Sequence, residues 1–161
     1  MTKKIVVFTT GGTIACTAGP DGALIPTVSG EDLVRPVAER FADSLIVCEV
    51  RELTRLDSSS MTFADVDEIV AAVQEALDDP ETTGVVVTHG TDSMEETAIA
   101  VDTFHSDSRP VVFTGAQKPS NHPEADGPEN LFDAIVIAAD DSARDIGCLI
   151  VFNHAVIPAR G

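Results

Sequence analysis

Five stretches of the chain are apolar on consecutive positions: Ile5-Val6-Val7-Phe8, Leu45-Ile46-Val47-Cys48, Val85-Val86-Val87, Val111-Val112-Phe113 and Cys148-Leu149-Ile150-Val151-Phe152. A strand with one solvated face alternates apolar and polar residues. Runs without alternation therefore predict strands buried on both faces, and such strands are usually parallel. Between the runs the apolar period lengthens to that of a helix. Val66, Ile69, Val70, Val73 and Leu77 recur on one helical face behind a capping Thr62, with acids opposite. Met94, Ala98, Val101 and Phe104 mark a second helix, and a shorter one is expected from about Glu31 to Phe41. The stretch Leu131 to Ala139 is apolar nearly all round, which predicts a helix buried between the sheet and some further surface.

This alternation of strands and helices predicts an α/β fold with right-handed crossovers. The expected form is a three-layer, doubly wound parallel sheet of five main strands, flavodoxin-like in the order 2-1-3-4-5. Ligands of such sheets bind beyond the carboxyl ends of the strands, where the order reverses, here between the first and third strands. Those strands end at Thr10-Gly11-Gly12-Thr13 and Thr88-His89-Gly90-Thr91-Asp92, and the second ends ahead of Asp57-Ser58-Ser59-Ser60. Thr13 and Thr91 are thus expected at adjacent strand ends with their hydroxyls facing one cavity.

A length of 161 residues suits one domain with a core of its own, and no repeat, low-complexity tract or linker interrupts it. The formal charge of −17 gives a field that repels nucleic acid and anionic lipid, so neither is expected as a partner. The three cysteines, Cys16, Cys48 and Cys148, are scattered and form no metal-ligand pattern; they read as reduced thiols of a cytoplasmic protein. The apolar run behind Thr2-Lys3-Lys4 is too short for a signal peptide or a membrane span.

Thr9-Thr10-Gly11-Gly12-Thr13-Ile14-Ala15 combines glycines that allow a sharp turn and close approach to a ligand with hydroxyls on both sides. It lacks the lysine of a P-loop and the third glycine of a dinucleotide fingerprint, which disfavours a nucleotide binder. Taken alone it is a glycine turn capped by threonines. In the second segment, Asp92 stands three residues before Glu95, so it could simply cap a helix, and His89 reads as a hydrogen-bonded structural histidine. A carboxylate and hydroxyls at a strand tip beside a helix N-terminus can also hold an α-amino acid, the carboxylate pairing with its ammonium group.

Together, the segments TTGGTIA and VTHGTDSMEETA resemble the L-asparaginase/glutaminase family of amidohydrolases, specifically its N-terminal domain. Asp57-Ser58-Ser59-Ser60-Met61, Pro110 to Ser120 and Ala125 to Leu131 extend the resemblance over essentially the whole chain. It implies that Thr13 is the nucleophile attacking the side-chain amide of asparagine, with glutamine as the alternative substrate. Thr91 would be a second catalytic threonine, Ser58 would contact the substrate carboxylate and Asp92 would hold the α-amino group. No metal or organic cofactor is implied, and the partner is a small amino acid, in a homo-oligomer if a longer form exists. Two helpers of the family pattern have no match. The loop after TTGGTIA carries Gly22 to Thr27 with no tyrosine, and the lysine that partners the second threonine would lie beyond Gly161; Lys118 matches a different, basic position. The chain is accordingly read as a catalytic-half domain over residues 1–161 without the family's C-terminal domain. The alternative is a catalytically impaired fragment or paralogue that binds an acidic amino acid or serves in assembly.

Overall fold

A computed structural model describes residues 1–161. The strands are β1 (Lys3–Gly11), β2 (Thr17–Ala18), β3 (Leu24–Ile25), β4 (Ile46–Leu56), β5 (Thr82–Thr88), β6 (Val111–Thr114), β7 (Cys148–Phe152) and β8 (Ala155–Pro158). The helices are α1 (Gly30–Ala38), α2 (Phe63–Asp78), α3 (Met94–Phe104) and α4 (Gly127–Ala138). Six strands make the main sheet, in the order β4-β1-β5-β6-β7-β8, while β2 and β3 form a separate small hairpin. Its first five strands are parallel and reproduce the order 2-1-3-4-5 expected of the five apolar runs.

Consecutive apolar residues are needed because the sheet separates two cores. Ile5, Val7, Val86, Val112, Leu149 and Val151 point toward α1 and α4, where they meet Leu33, Val34, Leu131 and Ile135. Their neighbours Val6, Phe8, Val85, Val87, Val111 and Phe113 point the other way, onto Ile69 and Val73 of α2 and Met94 and Ala98 of α3. A side-chain period of two thus fills both layers from one strand. Thr62 caps α2 as expected, its hydroxyl accepting from the Asp65 N–H while the Asp65 carboxylate returns to the Thr62 N–H at 2.7 Å. Burial pushes the thiols of Cys48 and Cys148 up to about 11 and about 12, so both stay protonated. No helix is long and apolar enough to cross a membrane.

Three departures from expectation have physical causes. The second apolar run is not buried on both faces, since Val47 is 53% exposed, and the strand runs on to Leu56, because β4 is an edge strand and tolerates the half-buried Glu49 and Arg51 and the exposed Glu52 and Arg55. A sixth strand, β8, returns antiparallel against β7 through a turn at Asn153-His154, whose φ values are 49° and 62°. Two positive φ values suit a two-residue hairpin, but they normally call for glycine, and none is present to signal the turn. It is anchored instead: the Asn153 N–H donates to Asn130 Oδ1 at 2.9 Å, and His154 Nδ1 lies 2.6 Å from Asp133 Oδ2. Third, α4 is buried on one face only. Phe132, on its outer side, stacks on Phe41 at 4.9 Å under the Arg40 guanidinium, and Val136 remains 38 % exposed.

Candidate active site

At the carboxyl end of β1 the chain turns through Gly12, with φ of 79°, into a short 3-10 turn, Thr13–Ala15. Ile14 and Ala15 sink into the α1/α4 core and fix the turn, leaving Thr13 half-buried at the surface. At the adjacent end of β5, His89, Gly90, Thr91 and Asp92 lead to Ser93, the residue that precedes α3. From the end of β4 comes a third segment, the 3-10 turn Ser58–Ser60, in which the Asp57 side chain accepts from the Ser59 N–H at 3.1 Å.

These three segments are closely packed, Gly12 against the Gly90 backbone and Gly90 against the Ser58 side chain. A methyl group added at Gly12 would lie 2.5 Å from Gly90 Cα and N, and one at Gly90 would lie 2.4 Å from Ser58 Oγ. No side chain larger than hydrogen fits at either contact, which gives both glycines a reason beyond turning the chain. Hydrogen bonds lock the stack. The Gly12 N–H donates to Leu56 O at 3.1 Å, Ser58 Oγ accepts from the Asp92 N–H at 3.1 Å, and Ser93 Oγ donates to Ser58 O at 2.9 Å.

In front of the stack is a cleft of about 320 Å³. It is lined by Gly12, Thr13 and Cys16 from the turn after β1, by Arg55, Leu56 and Asp57 from the end of β4, by Asp92, and by Leu24 and Pro26 from the segment of the small hairpin. Thr13 and Asp92 therefore share one space. Thr91 stands at the neighbouring strand end, half-exposed, but is not among the residues lining the cleft. Ser58 lies directly behind the lining and is only 3 % exposed. Lys118 is elsewhere, 3.0 Å from Glu124 in the loop after β6.

Asp92 does not cap α3. Ser93 occupies that position and makes no side-chain cap, because its hydroxyl is engaged by Ser58; the Asp92 carboxylate is left exposed at the cleft. His89 is structural, as its pattern suggested. It is fully buried, Nδ1 lies 2.7 Å from Gly90 O, and Nε2 has no partner. Burial holds its pKa below the usual imidazole value.

The charges of the cleft favour a cation. Its acids are Asp57 and Asp92, and its single base, Arg55, donates to Glu52 through Nε at 2.9 Å and a terminal nitrogen at 3.2 Å. Arg55, with help from the Gly30 N–H, holds the Glu52 carboxyl below the ordinary range. With the guanidinium matched in this way, the carboxylates of Asp57 and Asp92 leave the cleft negative. Cys16 is no competing nucleophile: burial and then the nearby Asp57 charge raise its pKa, and its thiol donates to Gly12 O at 3.3 Å. No group of three or more His, Cys, Asp or Glu side chains is placed to hold a metal ion.

Thr13 and Asp92, expected from the motifs, line the cleft, as do Leu24 and Pro26 of the loop Gly22 to Thr27 that the resemblance places over the substrate, whereas Arg55 and Cys16 carry no site signal in the sequence. The spacing of Glu52 and Arg55 just ahead of Asp57 carries a signal only once β4 is known to extend to Leu56.

Residues 4–161 match the family model for the N-terminal part of asparaginases. The chain is 36% identical over 162 residues to L-asparaginase 2 of Escherichia coli strain K12, covering 98% of this chain and 45% of that protein. It is 31% identical over 155 residues to "Probable L-asparaginase 4" of Schizosaccharomyces pombe, covering 95% and 44%. Among solved structures, a probable cytoplasmic L-asparaginase from Campylobacter jejuni superimposes with a TM-score of 0.88 at 30% identity, over 99% of this chain and 47% of that one. The chain spans somewhat less than half the length of these relatives.

Proposed function

Since the chain belongs to the asparaginase family through that family's N-terminal domain, we propose that it carries an amide-hydrolysing site for asparagine in which Thr13 is the nucleophile. The observation that carries this reading is that Thr13 and Asp92, from different strand ends, line the same cleft. In the proposed reaction the Thr13 hydroxyl oxygen bonds to the side-chain amide carbon, and its proton passes to the amide nitrogen. The C–N bond then breaks and ammonia departs, leaving a β-aspartyl ester. Water attacks the ester, the bond to the threonine oxygen breaks, and aspartate is released with Thr13 regenerated. Asp92 would pair with the substrate ammonium group and Ser58 would face its carboxylate. Thr91, one strand over, would assist proton transfer. Residues 1–161 are proposed to act as one domain, and the three free cysteines support a cytoplasmic setting. Glutamine, longer by one methylene, is separated from asparagine by only about 1–3 kcal/mol of pocket fit.

A second reading has its own observation. The lining of the cleft includes no lysine, histidine or tyrosine, so a base for Thr13 among its walls would have to be a carboxylate, and Asp92 is assigned to the substrate ammonium. General acid–base assistance contributes about 10²–10⁴-fold in rate. A domain that binds an acidic amino acid and turns it over slowly or not at all fits the same geometry.

Ammonia release from asparagine, measured alongside calorimetric titration with aspartate, separates the two. On the enzyme reading, release occurs and Thr13→Ala abolishes it. On the binding reading, aspartate binds without release. Under either, Asp92→Ala weakens aspartate by about 1.5–3 kcal/mol, the worth of a charge-assisted hydrogen bond. If the chain binds AMP and not aspartate, both readings fail.

A further inference from the structure

Part of the cleft lining is carried by a thin piece of structure. Cys16, Leu24 and Pro26 belong to the segment that contains the β2/β3 hairpin, a ladder of only two residue pairs, Thr17 with Ile25 and Ala18 with Leu24. Leu24 and Ile25 are each 49% exposed, so little apolar burial holds this hairpin in place. Inside the segment, the Val28 N–H donates to Ala15 O at 3.0 Å, and the hydroxyls of Thr17 and Thr27 lie 2.8 Å apart.

Attachment to the rest of the molecule comes from the loop between β6 and α4. The Ser120 N–H donates to Cys16 O at 2.8 Å. Next to it, the Asn121 side chain engages both backbone groups of Ala18: Oδ1 accepts from the Ala18 N–H at 2.8 Å, and Nδ2 donates to Ala18 O at 3.0 Å. The carboxamide thus takes the place of a strand residue, pairing with the outer edge of β2 as a neighbouring peptide group would. The loop that presents Asn121 is itself secured. Asp126 accepts from the N–H groups of Gln117 at 2.9 Å and Lys118 at 2.9 Å, and the buried Asn130 Nδ2 donates to Gly115 O at 2.9 Å.

We propose that Asn121 is a positioning residue, a latch that ties strand β2 of the cleft-lining hairpin to the loop after β6, so that ligand affinity in the cleft depends on it. Asn121 does not line the cleft and acts only through Ala18 and the hairpin. The step from hairpin to ligand affinity rests on the amino-acid site proposed above. Serine, threonine or alanine at position 121 cannot make both bonds; a carboxamide of this length can.

The test compares the unaltered chain with Asn121→Ala and Asn121→Asp by amide hydrogen exchange and by calorimetric titration with aspartate. Asn121→Asp keeps the acceptor for the Ala18 N–H and loses the donor to Ala18 O. Two modest hydrogen bonds set the local opening of the hairpin, so Asn121→Ala should speed exchange over residues 16–25 by roughly tenfold while α2 keeps its protection. Aspartate affinity should fall roughly three- to tenfold in Asn121→Ala, with Asn121→Asp between the two in both measurements. Exchange that is unchanged over residues 16–25, or faster by the same factor throughout the chain, overturns the latch. Faster local exchange with unaltered aspartate affinity overturns the coupling to the site. Failure of the unaltered chain to bind aspartate strikes the amino-acid site instead, and the latch is then decided by the exchange result alone.

Discussion

Two parts of the cleft are built in opposite ways. In one, Gly12, Gly90 and Ser58 approach so closely that a single added carbon at Gly12 or Gly90 would fall within 2.6 Å of another segment. This part is fixed by the ends of three sheet strands and by hydrogen bonds between them. In the other, Leu24 and Pro26 ride on a hairpin of two residue pairs whose tip, Gly22, has no atom within 4 Å of where a Cβ would stand. Groups that must meet reacting atoms within a fraction of an ångström belong on the first kind of support, and Thr13 and Asp92 are both there. Groups that admit and enclose a ligand can belong to the second.

The sharpest test of this contrast uses two glycines that share a positive φ but not surroundings. Gly12 and Gly22 have φ of +79° and +81°. At Gly22 an alanine suffers only the left-handed backbone penalty, about 1–2 kcal/mol. At Gly12, ψ of 178° puts the residue in a region essentially confined to glycine, so strain of about 1–3 kcal/mol is joined by overpacking against the Gly90 backbone, worth about 1–3 kcal/mol more. Urea denaturation should therefore show Gly12→Ala losing roughly 2–6 kcal/mol and Gly22→Ala about 1–2 kcal/mol. Equal losses would mean that the stack is no tighter than the hairpin.

A smaller effect should come from His89, which buttresses the fixed part from behind. Burial holds its folded pKa below the unfolded value of about 6.5, so the unfolded chain binds the proton more readily. Its contribution is present in full above the unfolded value and is lost as pH falls through the folded one. Between about pH 7.5 and about pH 5.5 the urea midpoint of the unaltered chain should fall further than that of His89→Gln, where this group is gone. Parallel decreases would show that His89 is not responsible. The smallest effect belongs to the hairpin: Leu24→Ser should change stability by no more than about 0.5 kcal/mol, since the side chain is already half in water. A larger loss would place Leu24 in a packed core and remove the contrast.

Much of the parallel sheet could be read from the chain because its strands are buried on both faces, and burial on both faces removes polar residues from Ile5 to Phe8 and from Val85 to Val87. The same rule hides β4 beyond Cys48, where one edge meets water and charged residues return. The turn at Asn153-His154 stayed silent because its positive φ values are borne without glycine, through bonds to Asn130 and Asp133 that lie more than twenty positions away in the chain. At the site, Thr13, Ser58, Thr91 and Asp92 lie in compact motifs, so their types and order were legible. That Asp92 is spared from capping α3 was not, because it depends on Ser93 being drawn to Ser58, a contact across 35 positions. The pairing of Asn121 with Ala18 spans 103 positions and leaves no local pattern.

The partition of the interior by the sheet bears on how such a site could change over generations. Thr13 is moored through Ile14 and Ala15 in the layer of α1 and α4, whereas Asp92 leads into Met94, which is moored in the layer of α2 and α3. A drifting core substitution near one helix pair would displace the Thr13 hydroxyl, the proposed nucleophile, relative to the Asp92 carboxylate, or the reverse, with a sheet one residue thick in between. Changes of stability on the two sides should then sum nearly independently, as they do for positions that share no partners. Reactivity and substrate preference are in this sense inherited through separate bodies of packing, each free to vary while the other is held.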